Sequence, residues 1–192
     1  MTTVVILSLT AVLTAWSGFE ASKWGGEMSI AFSQASSARI QAASAQGEAQ
    51  AARQYDLSIY TQWVLAQADG DEALSQYIEE RFSDAFAVAF DAWDDGGRTE
   101  SGPFAMEEYV PPGTTEAAEF ADRADQKFEE ALVNNQRGDN YSLLTVLFAL
   151  VLFFAALSQS QRLSWRRYTF LALASILGVA GMIVLLTFPV KI

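Results

Sequence analysis

The acidic residues of this chain are confined to its middle. All 23 lie between Glu20 and Asp139 of a 192-residue sequence, and residues 1–19 and 140–192 carry none. The acid-free ends hold three apolar runs: TVVILSLTAVLTAWSG from Thr3 to about Gly18, YSLLTVLFALVLFFAALS from about Tyr141 to Ser158, and YTFLALASILGVAGMIVLLTFPV from about Tyr168 to Val190. A helix needs about 20 apolar residues to cross roughly 30 Å of hydrocarbon, and each run is near or at that length. The third run is too long for a buried core helix, and the second has no polar face to turn to water. The first has no preceding Lys or Arg and no clear small-residue cleavage site before Trp16 and Phe19, so it reads as a span and not as a removed leader.

The expected fold class is therefore an all-α membrane protein. Three transmembrane helices are expected at 1–18, 141–158 and 168–190, with a basic loop at 159–167. A helical-hairpin or coiled-coil extramembrane domain, residues 19–140, is inserted between the first and second. That domain sets the eight basic residues Lys23, Arg39, Arg53, Arg81, Arg98, Arg123, Lys127 and Arg137 against all 23 acids. The link SQSQRLSWRR carries Arg162, Arg166 and Arg167 and no acid, which places it in the cytoplasm under the positive-inside rule and the middle domain outside. Lys23, Arg137 and Lys191 near the other membrane ends, and the uncharged Met1-Thr2-Thr3, pull the other way.

Within the middle domain, helices are expected at about 27–67, 72–94 and 114–136. The first has one glycine and no proline, and Ala31, Ala35, Ala38, Ala42, Ala45, Ala49 and Ala52 alternate by four and three. This is a heptad seam of alanine, a surface that lets helix backbones approach closely. Ile59 and Trp63 continue the phase after a break at Asp56. Small residues extend the face into the first span at Ala11, Ala15, Gly18, Ser22 and Gly25, the kind of surface on which membrane helices associate. The span and its extension form one helix of about 65 residues unless Gly25-Gly26 kinks it.

Asp69-Gly70-Asp71 supplies a turn and an N-cap for the second helix. Phe82, Phe86, Phe90 and Trp93 form a stripe on it that reads as core before it reads as a ligand platform. Residues 95–113 form a Gly- and Pro-rich loop, long for a plain connection, in which Phe104, Met106 and Tyr109 are candidate partner contacts. The third helix opens on Thr114, Thr115 and Glu116, and Gly138 is the expected place for a bend before the second span.

The segments TAWSGFEASKWGGE, PFAMEEY and NYSLLTVLFALVLFFAALSQ resemble an uncharacterised family of bacterial three-span integral membrane proteins. The resemblance spans most of the chain, and Trp16 to Gly26 is its most distinctive piece. It implies the same layout and a bacterial cell membrane, and it carries no activity and no site residue.

The chain has no histidine and no cysteine, which excludes imidazole proton shuttles, thiol nucleophiles, thiolate or imidazole zinc sites and disulfides. A net charge of -11 excludes a nucleic-acid surface. An oxygen-only metal site has Asp91, Asp94 and Asp95 as weak candidates, with Glu100 shortly after, at spacings unlike a calcium-binding hand. Glu79/Glu80, Glu107/Glu108 and Glu129/Glu130 are adjacent pairs that point apart on a helix. No phosphate-binding glycine loop or nucleophile elbow occurs, and no cofactor is expected. None of the three spans carries an ionisable residue of the kind a carrier keeps. The expected function is that of a non-enzymatic assembly, scaffold or accessory subunit, a homo-oligomer or one member of a membrane complex. The rival is a homo-oligomeric cation channel with an acidic vestibule, for which the pore ends offer no charged ring beyond the candidates Glu20 and Asp139.

Overall fold

The computed structural model describes residues 2–161 and 163–191. Five α-helices account for most of them: α1 Thr2–Asp69, α2 Glu72–Glu79, α3 Asp84–Asp95, α4 Thr114–Ser160 and α5 Ser164–Thr187, with a short 3-10 turn at Pro103–Ala105. No strand occurs among the described residues. Segments of α1, α4 and α5 are long and apolar enough to cross a membrane. Helical hydrogen bonding runs unbroken through Gly25-Gly26 in α1 and through Gly138 in α4. The expected separate helices at 114–136 and 141–158 are thus one element.

The link between α4 and α5 is shorter than the nine residues expected. Helix α4 runs to Ser160 and α5 begins at Ser164, so Arg166 and Arg167 stand in the first turn of α5; Arg162 lies outside the described residues. The α5 helix starts earlier than Tyr168 and stops at Thr187, because Pro189 cannot continue it.

The chain divides into two compact units. One comprises Met1–Gln34 with Gln126–Ile192, the other Ala35–Asp125. In the first unit, α1 turns Thr3, Thr10, Ser17, Glu20, Trp24 and Ala31 inward and leaves Val4, Val5, Leu9 and Val12 exposed. Its interior holds Trp24, Tyr141, Leu144 and Phe148 at one level and Val151, Ala155 and Ala174 at another. One glycine sets a tight spacing: a Cβ on Gly181 would lie 2.8 Å from Phe148 Cε1, whereas one on Gly138 would lie 3.5 Å from the Ala21 carbonyl oxygen, an ordinary van der Waals contact. The hydroxyls of Thr14, Ser142, Thr145 and Ser175 each donate to the carbonyl four residues back, which satisfies them without water.

The second unit is built on an aromatic interior. Trp63, Ala66, Ile78, Phe86, Phe90 and Trp93 are buried together, and Ile59, Tyr60, Phe82, Phe104, Met106 and Tyr109 pack against them. Along α1, Ala35 and Ala38 are buried and Ala42, Ala45, Ala49 and Ala52 half-buried, with exposed residues between them. The phase does not break at Asp56: that side chain is wholly buried at the next inward position, followed by Ile59 and Trp63.

Asp71 caps α2, its Oδ1 accepting from the Leu74 amide at 3.0 Å, after a turn in which Gly70 has φ +70°. The single helix expected over 72–94 is two. Ser83 takes an extended conformation and its Oγ accepts from the Phe86 amide, so a new N-cap interrupts the helix. The aromatic stripe survives the break because Phe82, Phe86 and Phe90 still stack edge to face, at 4.8 and 5.0 Å from Phe82. Gly113, at φ +86°, lies against the Ala45 carbonyl where a Cβ would collide.

Candidate functional site

Two clusters of buried polar side chains stand out, one in each unit. In the first unit, Ser17, Glu20 and Trp24 occupy successive inward positions of α1. Ser17 and Glu20 are fully buried, and Trp24 is 5% exposed. The chain beyond α5 folds over them. Lys191 donates its backbone N–H to Glu20 Oε2 at 2.9 Å, and its ammonium lies 3.3 Å from Glu27 Oε1. Tyr141 donates its hydroxyl to the Pro189 carbonyl at 3.0 Å, and its ring meets Phe188 edge to face at 5.4 Å. The Trp24 ring carries two cations, the Arg137 guanidinium at 4.6 Å and the Lys191 ammonium at 5.7 Å from its centroid. Ser17 Oγ, Glu20 Oε1 and Trp24 Nε1 are buried without a hydrogen-bond partner among the described residues.

Glu20, a candidate pore-end acid of the rival reading, is fully buried and accepts from the segment that follows α5. Asp139, its expected companion, is exposed and accepts from Asn135 at 3.2 Å.

The second cluster centres on Asp56. Tyr109 donates its hydroxyl to Asp56 Oδ2 at 2.9 Å, while Oδ1 is buried without a partner among the described residues. Burial raises the Tyr109 phenol above its ordinary range, the hydrogen bond and charge of Asp56 raise it further, and Arg53 opposes them. Tyr60 is raised chiefly by burial, against the pull of Arg98. Arg98, itself at φ +57°, sits over Trp93 and Trp63 at 5.2 and 5.6 Å from their centroids and binds Asp94 Oδ1 through Nε at 2.6 Å.

The remaining candidates fall as follows. Asp91, Asp94 and Asp95 are exposed on α3, Asp94 is committed to Arg98, and no group of three metal-binding side chains occurs among the described residues. Consecutive outward positions of a helix end diverge, which is why three nearby acids form no cage. Phe104, Met106 and Tyr109 are half-buried and not fully exposed: they pack against the aromatic interior, the Phe104 ring lying 4.8 Å from Phe86 and 5.1 Å from Tyr109, because aromatic rings are stabilised by packing on one another. The association face splits in two. Ala31, Ala35 and Ala38 through Ala52 do face inward, but Ala11, Ala15, Gly18 and Ser22 are exposed and Gly25 is half-buried. The packed stripe of that part of α1, Thr10, Ser17 and Trp24, is displaced by one residue, about 100° around the helix.

Two residues of consequence, Glu20 and Asp56, are buried acids that sequence reading treated as surface or as a break. The signal for Asp56 was its place four residues from Ala52, three from Ile59 and seven from Trp63, all on one helical face. No local signal pointed to Glu20, whose partner lies 171 residues away. No protein-family model, no curated protein and no solved structure matches this chain. The functional reading therefore rests on its own residues.

Proposed function

We propose that the chain is a non-enzymatic integral membrane protein that acts as an assembly, scaffold or accessory subunit through its acidic middle region, residues 19–140, and that it self-associates through the first span. The setting proposed is a bacterial cell (inner) membrane, with the middle region outside the cytoplasm and the α4–α5 link within it. The observation that carries the reading is the exposed small-residue stripe of α1. Ala11, Ala15, Gly18 and Ser22 are exposed, and among the described residues no atom lies within 4 Å of where a Cβ on Gly18 would stand, so this part of the stripe is open to a partner. Stripes of this kind allow the close backbone approach on which helix association in lipid depends.

The aromatic residues support a membrane setting. Trp165 and Tyr168 are exposed at the start of α5, and Trp16 and Phe19 are exposed toward the other end of the α1 span. From Tyr168 to Phe188 is 20 residues, roughly 30 Å of helix, which matches a hydrocarbon core bounded by aromatic belts.

Because the chain has no native cysteine, single-cysteine variants report cleanly. Ala15→Cys in membranes should form a disulfide-linked dimer under mild oxidation, whereas Ser17→Cys, on the inward face, should not. Equal cross-linking at both positions, or none at Ala15→Cys, Ala11→Cys and Gly18→Cys, would remove the self-association.

A further inference from the structure

Three buried polar atoms on one helical face lack a hydrogen-bond partner among the described residues. Ser17 and Glu20 are separated by three residues and Glu20 and Trp24 by four, spacings that make side chains neighbours on a helix. Each is more than nine-tenths buried. Glu20 Oε1 only accepts, Trp24 Nε1–H only donates, and Ser17 Oγ does either. Buried polar groups of this kind are normally satisfied, and where protein atoms do not do so an internal water does. We propose that Ser17, Glu20 and Trp24 enclose an internal water site, closed over by residues 188–191, in which water accepts from Trp24 Nε1–H and donates to Glu20 Oε1, with Ser17 Oγ as a further partner.

A cation suits this site less well. An indole N–H cannot ligate a metal ion, and the Lys191 amide already directs its N–H at Glu20 Oε2. The Arg137 guanidinium and the Lys191 ammonium, 4.6 and 5.7 Å from the centre of the Trp24 ring, add positive potential beside it. A molecule that both donates and accepts, and carries no charge, meets every one of these constraints. The segment that closes the site is itself anchored through Tyr141 to Pro189 and Lys191 to Glu20, so site and closure share the Glu20 carboxylate.

The test is water-to-protein magnetisation transfer in solid-state NMR on the full chain in lipid bilayers, read at the tryptophan indole N–H groups. Trp63 and Trp93 are internal controls of similar burial whose indoles donate to Glu79 Oε1 and to the Glu100 carbonyl. Transfer to Trp24 should build up about threefold faster than to either control. Build-up no faster than theirs would overturn the proposal. The same spectra in sodium chloride and in choline chloride should place the Glu20 carboxyl carbon identically, and a sodium-dependent shift would overturn it in favour of a bound cation. Glu20→Gln, which keeps an acceptor oxygen, should retain the fast transfer, and Glu20→Leu should reduce it to the control rate.

Discussion

Helix α1 has two inward faces of opposite chemistry. In its first stretch the buried positions are Thr3, Thr10, Ser17, Glu20 and Trp24, while Val4, Val5, Leu9 and Val12 look outward. In its later stretch Ala35, Ala38, Trp63 and Ala66 look inward together with the single acid Asp56, and exposed Gln, Ser, Glu and Arg lie among the residues between them. On the proposed membrane setting, each stretch meets a different solvent, and that accounts for the contrast. In hydrocarbon an outward polar group is costly and an outward valine costs nothing, so hydroxyls and carboxylates are drawn inside. In water the driving force reverses, and alanine and aromatic surface is removed from solvent. The two stretches share one pattern of spacing and differ in which residues fill it.

The largest effect that sharpens this contrast is expected at an inward residue of the later stretch. Trp63 stacks on Tyr60 at 5.7 Å, meets Phe90 edge to face at 5.0 Å and donates to Glu79 Oε1 at 2.6 Å. Trp63→Ala should cost about 3–5 kcal/mol, seen as a large fall in the melting temperature. A loss below about 1 kcal/mol would mean that the aromatic interior is not the core of this unit.

Next in size is one acidic substitution made on both outward faces. Val12→Asp should impair membrane insertion by about 3 kcal/mol. Gln41→Asp, outward on the later stretch, should stay within about 0.5 kcal/mol in thermal unfolding. Equal tolerance at the two sites would erase the distinction.

A smaller effect concerns the buried acid of the second unit. Tyr109→Phe alone should destabilise by about 1–3 kcal/mol, because it leaves Asp56 Oδ2 buried without its donor. The double variant Asp56→Leu with Tyr109→Phe should recover most of that loss, since removing both partners leaves nothing unsatisfied. A double variant worse than the sum of the singles would assign Asp56 a further role, such as fixing the register of the seam.

The smallest expected effect is alkaline. Tyr109 and Tyr60 hold their protons above the range of an unfolded phenol, so their neutral forms contribute fully below pH of about 10. That contribution is lost as pH rises through the raised folded values, because the unfolded chain releases its protons first. Tyrosinate absorbance at pH of about 11 should develop for fewer of the six tyrosines in the folded chain than in denaturant. Identical titration curves would contradict the burial of these rings.

Much of the fold was legible because its strongest determinants are one-dimensional. The confinement of acids to Glu20–Asp139 and the length of the apolar runs identify helices able to span a membrane. The alternation from Ala31 to Ala52 located the inward face of α1, because a helix carries periodicity directly into burial. What was not legible depended on competition between alternatives. Ser83 broke an otherwise continuous helical pattern by capping Phe86, a choice that propensity alone does not decide. Phe104 and Tyr109 turned inward because the rings of α1 and α3 gave them a surface to cover. Asp56 was hidden by the expectation that an acid interrupts a seam, when a phenol 53 residues away supplies its hydrogen bond. In the first stretch of α1, the small residues did not reveal which stripe packs within the chain, because Thr10, Ser17 and Trp24, one position away, are the buried ones.

The central claim is that α1 passes from one solvent to another along its length, and cysteine accessibility in nanodiscs tests it most directly. Cysteines placed singly at the outward positions Val4, Val12, Phe19, Ile40, Leu57 and Val64 all stand exposed on the chain itself. A polar maleimide reaches only thiols that water can ionise. The account predicts no labelling at Val4 and Val12, partial labelling at Phe19 and full labelling at Ile40, Leu57 and Val64. Uniform labelling at all six positions would contradict it.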